Sequence, residues 1–434
     1  MSLDSRRRRS VLFKASQVLT RCALCDHCLG RQFHLLNEEC KNDALGNSIK
    51  DVLFIEFRNS LESKRAWSLR GLRALARSGY GAASEELFKL TGKEVAQQPC
   101  HICGGALFNK IDGIVSLMHS DVSDYDFQSF QVGSSLPRKM LRSDDELKIK
   151  HKLAHGENIK TEFNRLVSNA FSERAGKTHS FQEPDLMIMV EPISGRVRVS
   201  PAPVYVYGRY RKLQRGISQT RKAGADPLKS IEGMLASILV PLFSAKGMKF
   251  HGAGREDVDA MMLGSGRPFI AEVLDPKRRA INPDEIAEQF NKEYGRMVEI
   301  LDLKPATKMS IAELKLKGEK TSKLYHVIVK VPNLPSDDRL IELEQKTKGL
   351  IINQRTPRRI SWRRADKIRR RTISWLKVKP IPPQRLDVTI EAQAGTYIKE
   401  FVTGDEGRTK PSLAELLNMP AEWESLEVLE IIGD

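Results

Sequence analysis

Two sets of residues have the types and spacing to do chemistry. In Phe250-His-Gly-Ala-Gly-Arg-Glu-Asp-Val-Asp-Ala-Met-Met-Leu-Gly-Ser-Gly-Arg-Pro-Phe269, acidic residues lie among glycines and arginines inside an apolar run. Gly252, Gly254, Gly264 and Gly266 permit backbone angles closed to other residues and let a ligand approach the main chain, while Arg255 and Arg267 can hold phosphates or orient a carboxylate. The stretch reads as a catalytic loop with Asp257 as the reactive group. The alternative is a surface turn in which Glu256, Asp257 and Asp259 are merely solvated. A dinucleotide loop is disfavoured, because Asp257 stands at the third glycine position and its carboxylate would repel a pyrophosphate. The second set is Cys25-Asp-His-Cys28 with Cys100-His-Ile-Cys103-Gly104-Gly105. Two Cys-x-x-Cys turns present four thiolates, the set zinc favours in a tetrahedron, and Gly104 and Gly105 suit the turn after the second pair. Buried thiols or disulfides are the alternatives. Cys22 lies at the same spacing from Cys25, and His27 and His101 lie between the ligand positions as bystanders.

These residues sit in a chain of 434 residues, more than one core normally organises, so two or three domains are expected. Lys and Arg number 71 against 55 Asp and Glu, a formal charge of +16, which points first to nucleic acid as partner. A membrane partner is not expected, because no apolar run of about 18 residues is present. Arg6-Arg-Arg-Arg9 lacks the apolar segment of a secretory signal, so the reading places the protein in the cytoplasm. A hydrophobic fraction of 40% is enough for ordered cores.

The elements that must position the two sets follow from periodicity. From Ser48 to Ala96 the apolar spacing is helical, as at Leu69, Leu72, Leu75 and Ala76, with basic residues between. A metal closing the loop of about 70 residues between the cysteine pairs would stabilise this region, which makes the zinc structural. Gly113-Ile-Val-Ser-Leu-Met118 reads as a strand and Ile159 to Ala175 as a helix. A hairpin follows, through Asp185 to Glu191 and Arg196 to Val199. Pro201-Ala-Pro203 reads as a boundary, giving an accessory region over 1–200 and a catalytic domain over 201–434. Tyr205 to Arg221 is basic and tyrosine-rich, a composition that stacks on bases and binds phosphates, or else forms a strand leading to a solvated loop. Asp226 is expected to cap a helix with Pro227 in its first turn and Ile231, Leu235, Ile238, Leu239 and Leu242 on one face. Strands are expected at Pro268 to Leu274, Met297 to Leu303, Lys323 to Val331, Leu386 to Ala392 and Leu426 to Ile432. Asn282-Pro283 opens a helix. Alternation buries Tyr325 with Val327, Val329 and Val331. Arg355 to Lys379 is the most basic window, with Trp362 and Trp375 among its charges, and a polyanion would offset it. Ser412-Leu-Ala-Glu415 has the form of a capping box.

Gly254-Arg-Glu-Asp-Val-Asp259, read with Gly395-Thr-Tyr-Ile-Lys-Glu-Phe-Val-Thr-Gly-Asp405, resembles the archaeal and eukaryotic tRNA pseudouridine synthase family that acts on U54 and U55 of the TΨC loop. The resemblance implies an α+β fold: a mixed, mainly antiparallel catalytic sheet with flanking helices, preceded by a zinc-containing, THUMP-like RNA-binding module. It implies that uridine is isomerised to pseudouridine in the TΨC arm of tRNA, with no cofactor for catalysis. The chain is expected to be monomeric. Spacing does not choose between Asp257 and Asp259; the family motif places the reactive carboxylate at Asp257, attacking C1′ or abstracting a ribose proton. Arg255, Tyr325, Tyr397 and Lys399 are implied in substrate binding, with Leu416 as an apolar wall. Cys28-Leu-Gly-Arg31 resembles the family's N-terminal knuckle, which selects Cys25, Cys28, Cys100 and Cys103 as ligands and leaves Cys22 and Cys40 spare. Two departures are Met261, where relatives carry Arg, and Lys399, which keeps the charge of a common Arg but loses its fork. The readings from other classes are a non-catalytic tRNA-binding adaptor, which would not need the Asp257, Tyr325 and Lys399 combination, and another THUMP-linked modifying enzyme, which would need a cofactor loop that the sequence lacks in complete form.

Overall fold

The computed structural model describes residues 3–33, 41–61, 66–153, 156–280, 282–362 and 364–433, with side chains at 3–10, 319 and 320 excepted. Cys40 lies outside the described residues. The chain divides into two compact units, Met1–Ala202 and Pro203–Asp434.

The first unit begins with five helices, α1 (Leu3–Arg21), α2 (Asp26–Gln32), α3 (Asn42–Asn59), α4 (Ala66–Arg77) and α5 (Gly81–Thr91). An α/β part follows: α6 (Ile111–Asp121), β1 (Ser129–Ser134), α7 (Arg138–His151), α8 (Ile159–Ala175), β2 (Thr178–His179), β3 (Leu186–Glu191) and β4 (Arg196–Pro201). Its four strands are ordered β2-β1-β3-β4, parallel except for the β3–β4 hairpin. The helix over Ile159–Ala175 and the hairpin stand as read from the sequence. The strand expected at 113–118 is instead the body of α6. Ile114, Val115 and Met118 are its buried residues, a spacing of one and then three that makes one helical face, and the six apolar or small residues 113–118 are too short a run for alternation to decide.

The second unit carries a ten-stranded sheet. Its elements are β5 (Val204–Lys212), α9 (Ile231–Leu242), β6 (Gly247–Gly252), β7 (Met261–Leu274), α10 (Pro283–Tyr294), β8 (Val298–Ala306), α11 (Lys308–Lys320), β9 (Ser322–Lys330), α12 (Asp337–Lys346), β10 (Leu350–Arg355), β11 (Ile368–Ile381), β12 (Arg385–Gln393), α13 (Ile398–Thr403), β13 (Thr409–Lys410), α14 (Leu413–Leu417) and β14 (Glu422–Ile432). The order is β13-β10-β11-β12-β9-β14-β7-β5-β8, with β6 on β7. Every pairing is antiparallel except β14 with β7, so the expected mixed, mainly antiparallel sheet with flanking helices is the one found.

Two local expectations are corrected here. Asp226 caps only a single 3₁₀ turn over Pro227–Lys229; the helix α9 starts later, where the Ser230 hydroxyl accepts from the Gly233 N–H at 3.0 Å. The glycine-rich stretch 250–269 is not one loop. It is the end of β6, a connection over 253–260, and the start of β7. Gly264 lies inside β7 at φ +58°, where a Cβ would stand 1.8 Å from the Leu429 carbonyl oxygen of β14. The close approach that needs this glycine is therefore strand to strand, not backbone to ligand.

Registers set the site. Lys212 of β5 pairs with Met262 of β7, Met262 with Val428 of β14, Val428 with Tyr325 of β9, and Tyr325 with Ile390 of β12. All five are buried, so they form one row across the inner face, and the 253–260 connection ends beside it.

Candidate active site and cysteine centre

The connection before β7 is held from beneath by buried polar groups. Glu256 points inward: its carboxylate accepts from the Tyr210 hydroxyl at 2.8 and 3.0 Å and from Arg267 Nε at 2.8 Å. Arg267 Nη1 donates to the Ala253 carbonyl at 2.7 Å, and Gln219 Nε2 donates both to the Tyr210 hydroxyl and to the Gly254 carbonyl at 2.9 Å. Lys212 Nζ donates to the carbonyls of Ile217, Asp257 and Val258 at 3.1, 2.9 and 3.2 Å. Burial opposes the charge on Glu256, but Arg267, Lys212 and the Tyr210 hydroxyl outweigh it and keep its carboxyl below the ordinary range. Burial lowers the Lys212 pKa in spite of Glu256. Arg267, read from sequence as a possible phosphate ligand, is thus a fully buried anchor, and Tyr210 is a core residue rather than a stacking platform. Neither role was legible, because a buried Glu–Arg pair looks like any other two charges in a sequence.

With Glu256 pinned inward, Asp257 turns outward into a cleft of about 490 Å³ lined by Asp257, Val258, Asp259, Arg359, Lys399, Glu400, Thr403, Asp405 and Trp423. Lys399 Nζ lies 3.5 Å from Asp257 Oδ2, donates to both oxygens of Asp259 at 2.7 Å, and stands 3.9 Å from the centre of the Trp423 ring. Asp259 therefore holds Lys399 in place. Partial burial would raise its pKa, but the bonds from Lys399 lower it overall. Arg359 Nη1 donates to Asp257 Oδ1 at 2.9 Å, while its Nε donates to Glu400 Oε1 at 2.7 Å. Glu400, Trp423 and Arg359 were not singled out by sequence reasoning. Glu400 follows Lys399 directly in the motif, but Arg359 is one arginine among many in the basic window and no local signal distinguishes it.

The remaining sequence candidates divide. Tyr325 is buried in the row described above, where burial pushes its phenol up to about 12 and the charges of Arg267 and Asp257 both reach it. It is a neutral ring at physiological pH, suited to packing and not to proton transfer. Tyr397 is the N-cap of α13, two residues before Lys399. Its N–H donates to Gln354 Oε1 at 2.9 Å and its hydroxyl accepts from Arg364 Nη1 at 3.1 Å. Arg255 is exposed, and Leu416 on α14 packs against the core; neither lines the cleft. The basic window is more internally paired than its composition suggests. Arg355 and Arg408 bind Asp366, and Arg358 binds Glu406, so the turn at Arg358–Ile360 is fastened onto the segment carrying α13. Arg369, Arg370 and Arg371 lie beyond these pairs on β11.

In the first unit the sulfurs of Cys25, Cys28, Cys100 and Cys103 lie within 4.8 Å of one another, with Cys25 and Cys103 at 3.5 Å. A tetrahedral zinc with bonds of about 2.3 Å would set its sulfurs about 3.8 Å apart, so the four cysteines fit that ion. Cys25 is the N-cap of α2 and Cys28 lies in its first turn. On the other side Gly104 and Gly105, at φ +69° and +84°, turn the chain so that the Gly105 N–H donates to Cys103 Sγ at 3.4 Å. Cys22 is outside the cluster: its thiol donates to the Val18 carbonyl at 3.6 Å and burial pushes its pKa up to about 11. His27 is no ligand, because Nδ1 pairs with Glu162 at 3.0 Å and the ring stacks on Phe108. Arg31, fully buried, links Cys28 Sγ, Asp144 and Glu162 and so ties the knuckle to α7 and α8.

Comparison with known proteins decides the family. The model of the Pus10 C-terminal domain matches residues 205–432, and that of the archaeal Pus10 THUMP domain matches 114–191. The tRNA pseudouridine synthase Pus10 of Thermofilum pendens is 36% identical over 94% of this chain and 92% of its own length. That of Pyrococcus furiosus is 34% identical over 98% of both. The chain belongs to the Pus10 family. Its first unit accordingly contains a Pus10-type THUMP domain, which runs from within α6 to the end of β3, and its second unit carries the Pus10 C-terminal domain, in which the cleft lies. A chain of a solved Cbf5-Nop10-Gar1 complex aligns over 51% of this one at 15% identity and a TM-score of 0.29, a likeness too loose to carry an argument. Among the described residues no helix is long and apolar enough to cross a membrane.

Proposed function

We propose that this protein isomerises uridine to pseudouridine at U54, U55 or both in the TΨC loop of tRNA, with Asp257 as the reacting carboxylate. The observation that carries the reading is the aim of Asp257: the inward anchoring of Glu256 turns it into a cleft where it meets Lys399 and Arg359, with the buried ring of Tyr325 within electrostatic reach. Full-length relatives named as tRNA pseudouridine synthases support the reaction class.

The chemistry needs one carboxylate. The target nucleotide leaves its stack and enters the cleft, at a cost of a few kcal/mol that contacts in the pocket offset. Asp257 attacks C1′, or removes a ribose proton, as the N-glycosidic bond breaks. The uracil turns so that C5 faces C1′, the C1′–C5 bond forms as the Asp257–C1′ bond breaks or the ribose proton is returned, and the proton displaced from C5 is matched by one taken up at N1. No atom is gained or lost overall, so no oxidant, reductant or energy donor is consumed. Lys399 keeps a negative charge on Asp257 favourable where the substrate excludes water, and in the free protein Arg359 pairs with the same carboxylate. Tyr325 and Tyr397, which lie outside the lining of the cleft in the free protein, supply ring faces once the base has entered.

The first unit is the accessory RNA-binding part, with Cys25, Cys28, Cys100 and Cys103 holding a structural zinc that supplies crosslinking and no chemistry. The arginines of β11 contact the tRNA backbone. The protein acts as a monomer in the cytoplasm. Incubating the protein with an unmodified tRNA transcript and mapping carbodiimide-reactive pseudouridines tests the reading: stops at positions 54, 55 or both are expected, and an unmodified TΨC loop would refute it.

A further inference from the structure

We infer that Arg359 is a phosphate-responsive latch: in the free protein it covers Asp257, and on RNA binding it passes to a backbone phosphate of the TΨC loop and frees the carboxylate. The inference rests on the function proposed above and adds a residue and a step to it.

The cleft has a charge problem. Four carboxylates, Asp257, Asp259, Glu400 and Asp405, line it against two cations, Arg359 and Lys399, which leaves two formal negative charges where a polyanion must enter. Of those two cations, Lys399 is not available to the backbone. Its side chain is 8% exposed, both oxygens of Asp259 hold it at 2.7 Å, and Trp423 lies against it. Arg359 is 38% exposed, on the turn Arg358–Ile360 that forms part of the cleft wall.

The geometry of the guanidinium divides its two ends. Glu400, buried, grips one edge, accepting from Nε at 2.7 Å and from Nη2 at 3.4 Å. The Nη1 end alone reaches Asp257 Oδ1, at 2.9 Å. Glu400 thus acts as a pivot that keeps the planar fork in place while the Nη1 end exchanges one oxyanion for another. Guanidinium presents five donors in a rigid plane that fits carboxylate and phosphate alike, so the exchange needs no large movement. The wall is rigid enough to make the position reproducible: Arg358 N–H donates to Asp405 at 3.2 Å, and Arg408 Nη2 donates to the Thr356 carbonyl at 2.7 Å and to Asp366 at 2.8 Å. An arginine that only stabilised the Asp257 charge would not need the exposed position or the separate buried grip.

The test is a double-perturbation cycle between Arg359→Gln and single methylphosphonate linkages, which remove one phosphate charge at a time, placed in turn through the TΨC loop of an unmodified tRNA assembled by ligation. Equilibrium affinity and single-turnover conversion are both measured, and melting curves confirm that the variant folds. The expected result is one linkage at which the methylphosphonate weakens binding to the parent at least tenfold but binding to Arg359→Gln less than twofold. Arg359→Lys, which keeps the charge but loses the fork, should recover only part of that coupling. Additive losses at every linkage would overturn the inference. So would an Arg359→Gln protein that binds like the parent but converts no RNA, because Arg359 would then act on Asp257 itself. A parent that shows the coupling in affinity but makes no pseudouridine would instead refute the proposed function and leave the contact standing.

Discussion

Replacing Glu256 with Gln keeps the shape of the anchor beneath the Asp257 loop and removes its charge. The parent side chain is 1% exposed and pairs with an equally buried Arg267, with Lys212 Nζ 4.0 Å away. Gln retains oxygen and nitrogen for the Tyr210 hydroxyl and the guanidinium, but Arg267 then lies buried without a counter-charge. Leaving one partner of a buried pair unmatched costs about 3–5 kcal/mol, and the hydrogen bonds Gln can keep place the expected loss near the lower end, about 3 kcal/mol. For a unit of this size about 1 kcal/mol corresponds to about 2–4 °C, so a fall in melting temperature of about 6–12 °C is expected. The pH dependence gives an independent reading. Because the folded carboxyl titrates lower than the unfolded one, its stabilisation is complete above the unfolded value of about 4.3 and is lost as pH falls through the folded value. Glu256→Gln should therefore flatten the acid side of the stability curve as well as lower its plateau. Urea unfolding of parent and variant between pH 3 and 8 measures both. A loss under about 1 kcal/mol at pH 7 with an unchanged acid limb would refute the buried-pair argument.

Two further predictions concern other parts of the chain. Cys103→Ser should release the metal held by the parent and lower the melting temperature of the first unit, because binding energy at such a site is folding energy; elemental analysis of the parent showing no zinc would defeat this. Neutralising Arg369, Arg370 and Arg371 together should lower tRNA affinity and reduce the slope of log K against log salt by about 2, whereas an unchanged slope would remove β11 from the backbone contacts.

The strands and helices that the sequence disclosed are those with one buried face. The alternation of Lys323 to Val331 and the cap at Asn282 correspond to β9 and α10, because burial on one side imposes the period directly. The cysteine cluster was legible for a similar reason, since a two-residue gap and a following pair of glycines constrain a tight turn. What stayed hidden depends on which side of the chain a charge faces. In Gly254-Arg-Glu-Asp257 nothing local says that Glu256 is buried and Arg255 exposed; that follows from Tyr210 and Arg267, which arrive on two neighbouring strands. Gly264 and Gly266 looked like loop glycines because their partners, the carbonyls of Leu429 and Tyr210, are far away in sequence. Arg359 was one arginine in a dense run until the fold set it against Asp257 and Glu400.

The central claim, that Asp257 is the reacting carboxylate, is tested most directly by single-turnover assays of Asp257→Asn and Asp259→Asn on unmodified tRNA. Asp259 holds Lys399 by two bonds of 2.7 Å, so its neutral analogue loosens a supporting cation without removing the reactive oxygen. Asp257→Asn keeps the shape of the loop and removes the charge to which the proposal assigns the chemistry. The account predicts that Asp257→Asn forms no pseudouridine while its tRNA affinity stays within a few-fold of the parent, and that Asp259→Asn retains measurable turnover. Turnover surviving in Asp257→Asn and lost in Asp259→Asn would reverse the two roles, and turnover surviving in both would take this loop out of the chemistry.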